Sequence, residues 1–283
     1  MREYFCGRYF KCQSKTKTLA VIHAYHRAKS KTTCSIQIIT DSGAWNVVFP
    51  YDVYSENKKS GIVKIGGNRF GTDKMTLDIE EDGIKARGSV TFGATTPIKY
   101  DIMGPFRFVP FMECRHSVFS MLHTVDGEIE INGEKFVFAG DIGYIEGDRG
   151  HSFPKVYSWT QCCFDGGSLM LSVADIPIGF VHFTGIIGVV YAGGKEYRIA
   201  TYLGAKAKKI EGGEIIVRQK KLTLIAKLIE KQAHPLYAPV SGEMTRVIRE
   251  SASCRAYYKL EENGRTIVEF ESDKASFEYE YPN

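Results

Sequence analysis

Apolar and polar residues alternate along most of the chain, the period of a strand with one buried face. The first half carries this pattern over residues 4–12, 19–27, 33–40, 44–49, 61–65, 75–80, 84–92, 117–131 and 135–139. The second half carries it over residues 156–164, 168–174, 185–190, 196–202, 214–219, 222–229, 254–261, 266–270 and 275–281. Turn signals stand between the runs: Asp41-Ser-Gly43, Asp82-Gly83, Asn132-Gly133, Asp165-Gly-Gly167, Gly193-Gly194 and Asn263-Gly264. Asn-Gly and Asp-Gly between strand-like runs are strong hairpin signals. Helical spacing is scarce. Its best case is residues 242–253, where Met244, Val247 and Ile248 recur at i, i+3 and i+4, in a stretch short enough to be a strand instead. Many short strands without intervening helices predict an all-β protein of antiparallel barrels or sandwiches. About 18 strands exceed one small barrel, so the chain is expected to form two antiparallel β-barrel domains in tandem, residues 1–142 and 143–283.

Composition supports the same class. Of 283 residues, 43% are hydrophobic and 25% charged, the balance of a globular chain rather than a disordered one. The 28 glycines, 17 phenylalanines and 16 tyrosines suit turns and half-buried strands. Net charge is only +4 and evenly spread, 19 basic against 16 acidic residues before residue 142 and 18 against 17 after it. No basic arm exists, and no nucleic-acid partner is expected. The first residues start a strand pattern at once, without a signal core. Seven cysteines at irregular spacing read as free thiols in a reducing, cytoplasmic setting. Residues 176–194 contain no formal charge over 19 positions, close to a membrane-spanning length, yet Pro177 and five glycines favour two strands with a bend. No transmembrane segment is expected, at most a peripheral membrane contact.

Most chemical motifs are missing. Cys6 and Cys12, His23 and His26, Cys114 and His116, and Cys162-Cys163 do not reproduce zinc-ligand spacing. On a strand Cys162 and Cys163 point to opposite faces and cannot grip one ion. The glycine-rich run 65–71 lacks the spacing and the following helix of a dinucleotide cradle, and no G-x-S-x-G elbow is present. Neither a metal nor a cofactor is expected.

One segment stands apart, Gly143-Tyr-Ile-Glu-Gly-Asp-Arg-Gly-His-Ser-Phe-Pro154 followed by Tyr157-Ser-Trp-Thr-Gln-Cys162. In an extended chain Tyr144, Glu146 and Asp148 share one face, and His151 follows. Two close carboxylates repel, so one holds its proton to higher pH if the face is enclosed. A phenol, two carboxylates and an imidazole make a usable acid/base set. The alternative is a surface turn whose acids bind backbone N–H groups or Arg149.

The run 143–164 resembles the signature of the tocopherol cyclase family, which reads close to Y-x-E-x-(D/N)-W-G-x-x-F-P-x-x-(Y/W)-x-W-x-Q. Residues 4–11 look like that family's opening strand. Gly104-Pro-Phe106, Pro110-Phe-Met112 and Cys114-Arg-His116, leading to Ser120 and His123, look like its central strand. Ala238-Pro239, Gly242, Met244, Glu250-Ser251 and Cys254 look like its C-terminal part. Arg8 and Arg149 stand where the pattern has tryptophan, and Cys163 where asparagine is common. A cation at 149 would oppose a carbocation if it faced the cavity.

The resemblance implies two lipocalin-like β-barrel domains and a lipophilic small-molecule substrate, prenylated or polycyclic. It further implies acid-assisted cyclisation or isomerisation, in which an acid protonates an alkene and a phenol oxygen captures the cation. Asp148 or Glu146 would be the acid, with Tyr144, Phe153 and Trp159 as an aromatic wall and His123 and Gln161 orienting the phenol. Two other readings stay open: a non-catalytic carrier of a hydrophobic ligand, and a hydratase in which water captures the cation. Fold alone does not choose among them.

Overall fold

The structure is a computed structural model and describes residues 3–81, 83–110, 112–178, 181–230, 234–250 and 253–282. It is almost entirely antiparallel β, as the alternation predicts. The first large sheet comprises β1 (Tyr4–Gln13), β2 (Thr18–Arg27), β3 (Thr32–Thr40), β4 (Ala44–Pro50), β5 (Tyr54–Asn57), β6 (Ile62–Ile65), β7 (Asn68–Phe70), β8 (Lys74–Glu81), β9 (Ile84–Phe92), β10 (Cys114–Ile131) and β11 (Glu134–Gly150). Its order is β4-β3-β2-β1-β11-β10-β9-β8-β7-β6-β5. After β12 (Tyr157–Phe164), β13 (Gly167–Ile178), β14 (Val181–Ala192), β15 (Lys195–Ala200), β16 (Lys206–Glu211), β17 (Glu214–Gln219) and β18 (Leu222–Glu230) comes a hairpin of β19 (His234–Val240) and β20 (Glu243–Glu250). β21 (Cys254–Glu262) and β22 (Arg265–Tyr279) then complete a second large sheet, ordered β15-β14-β13-β12-β22-β21-β18-β17-β16.

Each sheet curls around its own core. Val47 near one edge of the first sheet and Val63 and Ile65 near the other share one buried cluster with Phe10 and Ile145 from its centre. Ile199 and Ile215, from opposite ends of the second sheet, likewise share a cluster with Cys162 and Phe277. Curling of this kind hides the apolar faces of many strands together. The Asn-Gly hairpins are real: Asn132 and Gly133 have φ of 50° and 84°, and Asn263 and Gly264 have 55° and 78°. Two successive positive φ values make the turn whose twist matches the flanking strands. Asp82 lies outside the described residues.

Two compact units result. One contains residues 1–98, 114–152 and 236–247; the other contains 99–113, 153–235 and 248–283. The cut expected between residues 142 and 143 falls inside β11. Within the second unit, Arg198 ties down the segment that begins at Lys99. Its guanidinium donates to the carbonyls of Tyr100 (2.8 Å) and Asp101 (3.1 Å), lies over the Tyr100 ring and pairs with Glu196 at 2.9 Å.

Three local expectations change. Of residues 242–253, read as the best helical stretch, 243–250 form β20, because pairing with β19 outweighs the weak helical spacing of a short run. Gly104–Phe108 is a short 3-10 turn opening on a Gly-Pro pair, and the extended strand starts only at Cys114. The uncharged run 176–194 divides between β13 and β14. No helix among the described residues is long and apolar enough to cross a membrane.

Candidate functional site

β11 is the strand that organises the site, because its two faces differ. Ile145 points into the first unit's core cluster, so Tyr144, Glu146 and Asp148 occupy the opposite face. That outer face is nevertheless buried: Tyr144 and Glu146 are 0% and 3% exposed. The neighbouring strands supply its surroundings by register. β1 sets Tyr9 opposite Glu146 and Lys11 opposite Tyr144, and β10 sets His116 opposite Asp148 and Val118 opposite Glu146. Lys11 is itself 1% exposed.

His116 joins the two acids. Its Nδ1 lies 3.0 Å from Asp148 Oδ1 and its Nε2 lies 3.1 Å from Glu146 Oε2. The Tyr144 hydroxyl donates to the same Glu146 Oε2 at 2.6 Å, and the Cys114 thiol donates to Asp148 Oδ1 at 3.2 Å. Burial opposes the imidazolium, but the charges of Asp148 and Glu146 and their hydrogen bonds outweigh it, holding His116 well above its usual pKa. As an imidazolium it donates from both nitrogens. The carboxylates therefore face a shared cation rather than each other. Glu146 Oε1 has no hydrogen-bond partner among the described residues.

The other expected residues lie elsewhere. His123 faces the barrel lumen, on the opposite side of β11, where its ring meets Phe92 edge-on at 4.9 Å and its Nδ1 sits 2.9 Å from Ser120 Oγ. A Cβ on Gly143 would collide with His123 Nε2, so the glycine makes the room for that ring. His151 follows the end of β11, and its carbonyl accepts the Gly242 N–H at 2.8 Å; its ring makes no hydrogen bond to the acids. Phe153, Trp159 and Gln161 belong to the second unit. Phe153 meets the Tyr157 ring edge-on at 6.1 Å. Trp159 and Gln161 share a buried face of β12 turned away from the face that carries Cys162 into the core cluster. The Gln161 amide donates to Cys163 Sγ at 3.3 Å, and its carbonyl oxygen is buried without a partner.

Arg149 faces away from Asp148 and is exposed, so the acids bind neither it nor a turn. His116 and Lys11 were missed as site residues. The Cys114-x-His116 spacing was visible, but only the β10–β11 register brings that imidazole between the acids.

The sequence matches no protein-family model and no curated protein. Solved structures do match over nearly the whole chain. CghA, solved with Sch210972, gives a TM-score of 0.63 at 11% identity and covers 99% of this chain and 89% of that one. Kievitone hydratase from Nectria haematococca gives 0.55 at 9% identity, with 99% and 89% covered. A putative AttH from Nitrosomonas europaea gives 0.55 at 11%, with 100% and 93% covered. The chain has the fold of these proteins. At such identities the likeness concerns the fold alone, and any function must be argued from side chains.

Proposed function

We propose that the acid face of β11 protonates a carbon–carbon double bond of a lipophilic, prenylated or polycyclic phenol, as in a tocopherol cyclase-like or hydratase-like enzyme. The observation that carries this reading is His116 held as a cation between two carboxylates, with Glu146 Oε1 left without a hydrogen bond. Glu146 delivers the proton from Oε1 while Oε2 accepts from Tyr144 and from His116, whose other N–H is held by Asp148. Transfer to the alkene leaves a tertiary carbocation on the substrate and a carboxylate on Glu146. The imidazolium and the phenol steady that carboxylate at the moment it forms. Capture of the cation by the substrate's own phenol oxygen closes a ring; capture by water gives a tertiary alcohol. The proton released by the capturing oxygen returns to Glu146. Kievitone hydratase is a hydratase by name, which supports the water route on this fold.

Incubation with a prenylated hydroquinone in D₂O tests the proposal. An isomer carrying one carbon-bound deuterium reports cyclisation, and a product heavier by water reports hydration. Glu146→Gln and Asp148→Asn should abolish either product while leaving ligand binding within about tenfold, about 1.4 kcal/mol. Binding of the lipophile without product, unchanged by both substitutions, would make the protein a carrier.

A further inference from the structure

The lumen face of β1 and its neighbours holds a second set of polar groups that the acid face does not use. Arg8 lies on this face, opposite His23 on β2 and Gly147 on β11. Its half-buried guanidinium donates to the Gly61 carbonyl and stands 4.8 Å from the centre of the Phe119 ring. Among the described residues no carboxylate pairs with it; Glu56, exposed nearby, makes no ion pair. A cation withdrawn from water without a counter-charge is costly, and an arriving anion offsets that cost.

His23 deepens the same feature. It is 3% exposed, it packs against Phe70 at 4.7 Å, and neither ring nitrogen has a hydrogen-bond partner. Burial, with the charge of Arg8 added, keeps it neutral by lowering its pKa to about 3. A neutral imidazole always carries one N–H, so this lumen contains a buried donor with nothing to receive it. Tyr25 lies on the same face of β2 as His23 and gathers two more rings, Tyr54 and the 47% exposed Tyr51. Tyr25 stands 5.4 Å from both Tyr51 and Tyr54, and the latter two stack at 5.9 Å.

We infer that the lumen of the first unit binds a small aromatic carboxylate, its carboxylate on Arg8 and the His23 N–H and its ring among Tyr25, Tyr51 and Tyr54. A charged guanidinium forks onto a carboxylate, and flat rings favour a flat ligand. The site lies on the opposite side of the sheet from Glu146 and stands or falls separately from the proposed catalysis.

Calorimetric titration of the full chain with 2-naphthoate, against neutral 2-naphthalenemethanol, is the test. Naphthoate should bind at least about tenfold more tightly, and Arg8→Gln should remove that preference while Glu146→Gln keeps it. A proton spectrum of the unsubstituted protein gives a reading independent of variant folding: naphthoate should move the His23 ring signal and leave that of His116 in place. Equal binding of acid and alcohol, a preference that survives in folded Arg8→Gln, an unmoved His23 signal, or no binding at all would each overturn the assignment.

Discussion

The first sheet carries histidine environments on its two faces, and they come out in opposite charge states. On the outer face His116 is 7% exposed and lies between Asp148 and Glu146, which hold it as a cation. On the lumen side His23 and His123 are 3% and 5% exposed, and burial lowers them to about 3 and about 4. Depth of burial is nearly the same. What differs is the neighbour: two carboxylates on one side, phenylalanine rings and, for His23, a guanidinium on the other. Burial alone thus says little about a histidine's charge; the partner decides.

Substitution should break this symmetry most sharply. His116→Leu leaves two carboxylates without their shared cation and should cost about 3–5 kcal/mol in denaturant unfolding. His23→Leu removes polar atoms that have no partner and should cost far less, or stabilise. Equal losses at the two positions would show that the contrast is only one of packing.

The pH dependence of stability should show the same contrast with opposite signs. His23, His123 and His26 take up protons in the unfolded chain near pH 6.5, but in the fold only near 3, 4 and 4. The unfolded state then binds more protons between those limits, so stability falls as pH drops below 6.5. The loss is about 2 kcal/mol per buried imidazole by pH 5. His116 runs the other way. Its folded pKa is raised, so its contribution is full below pH 6.5 and is lost as pH rises through the folded value. Urea melts of His23→Leu and His116→Leu across pH should flatten the acid limb and the alkaline limb respectively.

A smaller effect is expected from Gly143→Ala. The added methyl would collide with His123 Nε2 and Val125 Cγ2 and should cost about 1–3 kcal/mol, relieved in the double variant with His123→Ala. Arg149→Gln should be the mildest, within about 0.5 kcal/mol, because Arg149 is exposed and faces away from Asp148. A large loss there would place Arg149 in contact with the acids and undo the two-faced reading of β11.

The second unit offers a further foil. Its first and last strands, β12 and β22, meet at the sheet's centre as β1 and β11 do, and Tyr157 donates to buried Glu278 there. A buried tyrosine–glutamate pair is thus common to both seams. The histidine bridge to a second acid is described only in the first.

Much of this was legible beforehand. Alternation fixed the strands, the Asn-Gly pairs fixed their hairpins, and period 2 put Tyr144, Glu146 and Asp148 on one face. The same rule separated Cys162 from Cys163, one in the core and the other bonded to Gln161 on the far face. Residues 243–250 escaped it because eight residues can satisfy either period, and only a pairing partner selects the strand.

What the sequence determined by itself was local: each residue's neighbours along the strand and the face it takes. Which strands lie side by side, and in what register, was settled only in three dimensions. His116 is separated from Asp148 by 32 positions and reaches it through the antiparallel pairing of β10 with β11. A slip of one residue would turn it into the lumen. The inward direction of a face is likewise a property of the curled sheet. Polar Glu146 and apolar Ile145 are both buried, and only the curl of the sheet assigns one to the cluster around His116 and the other to the core.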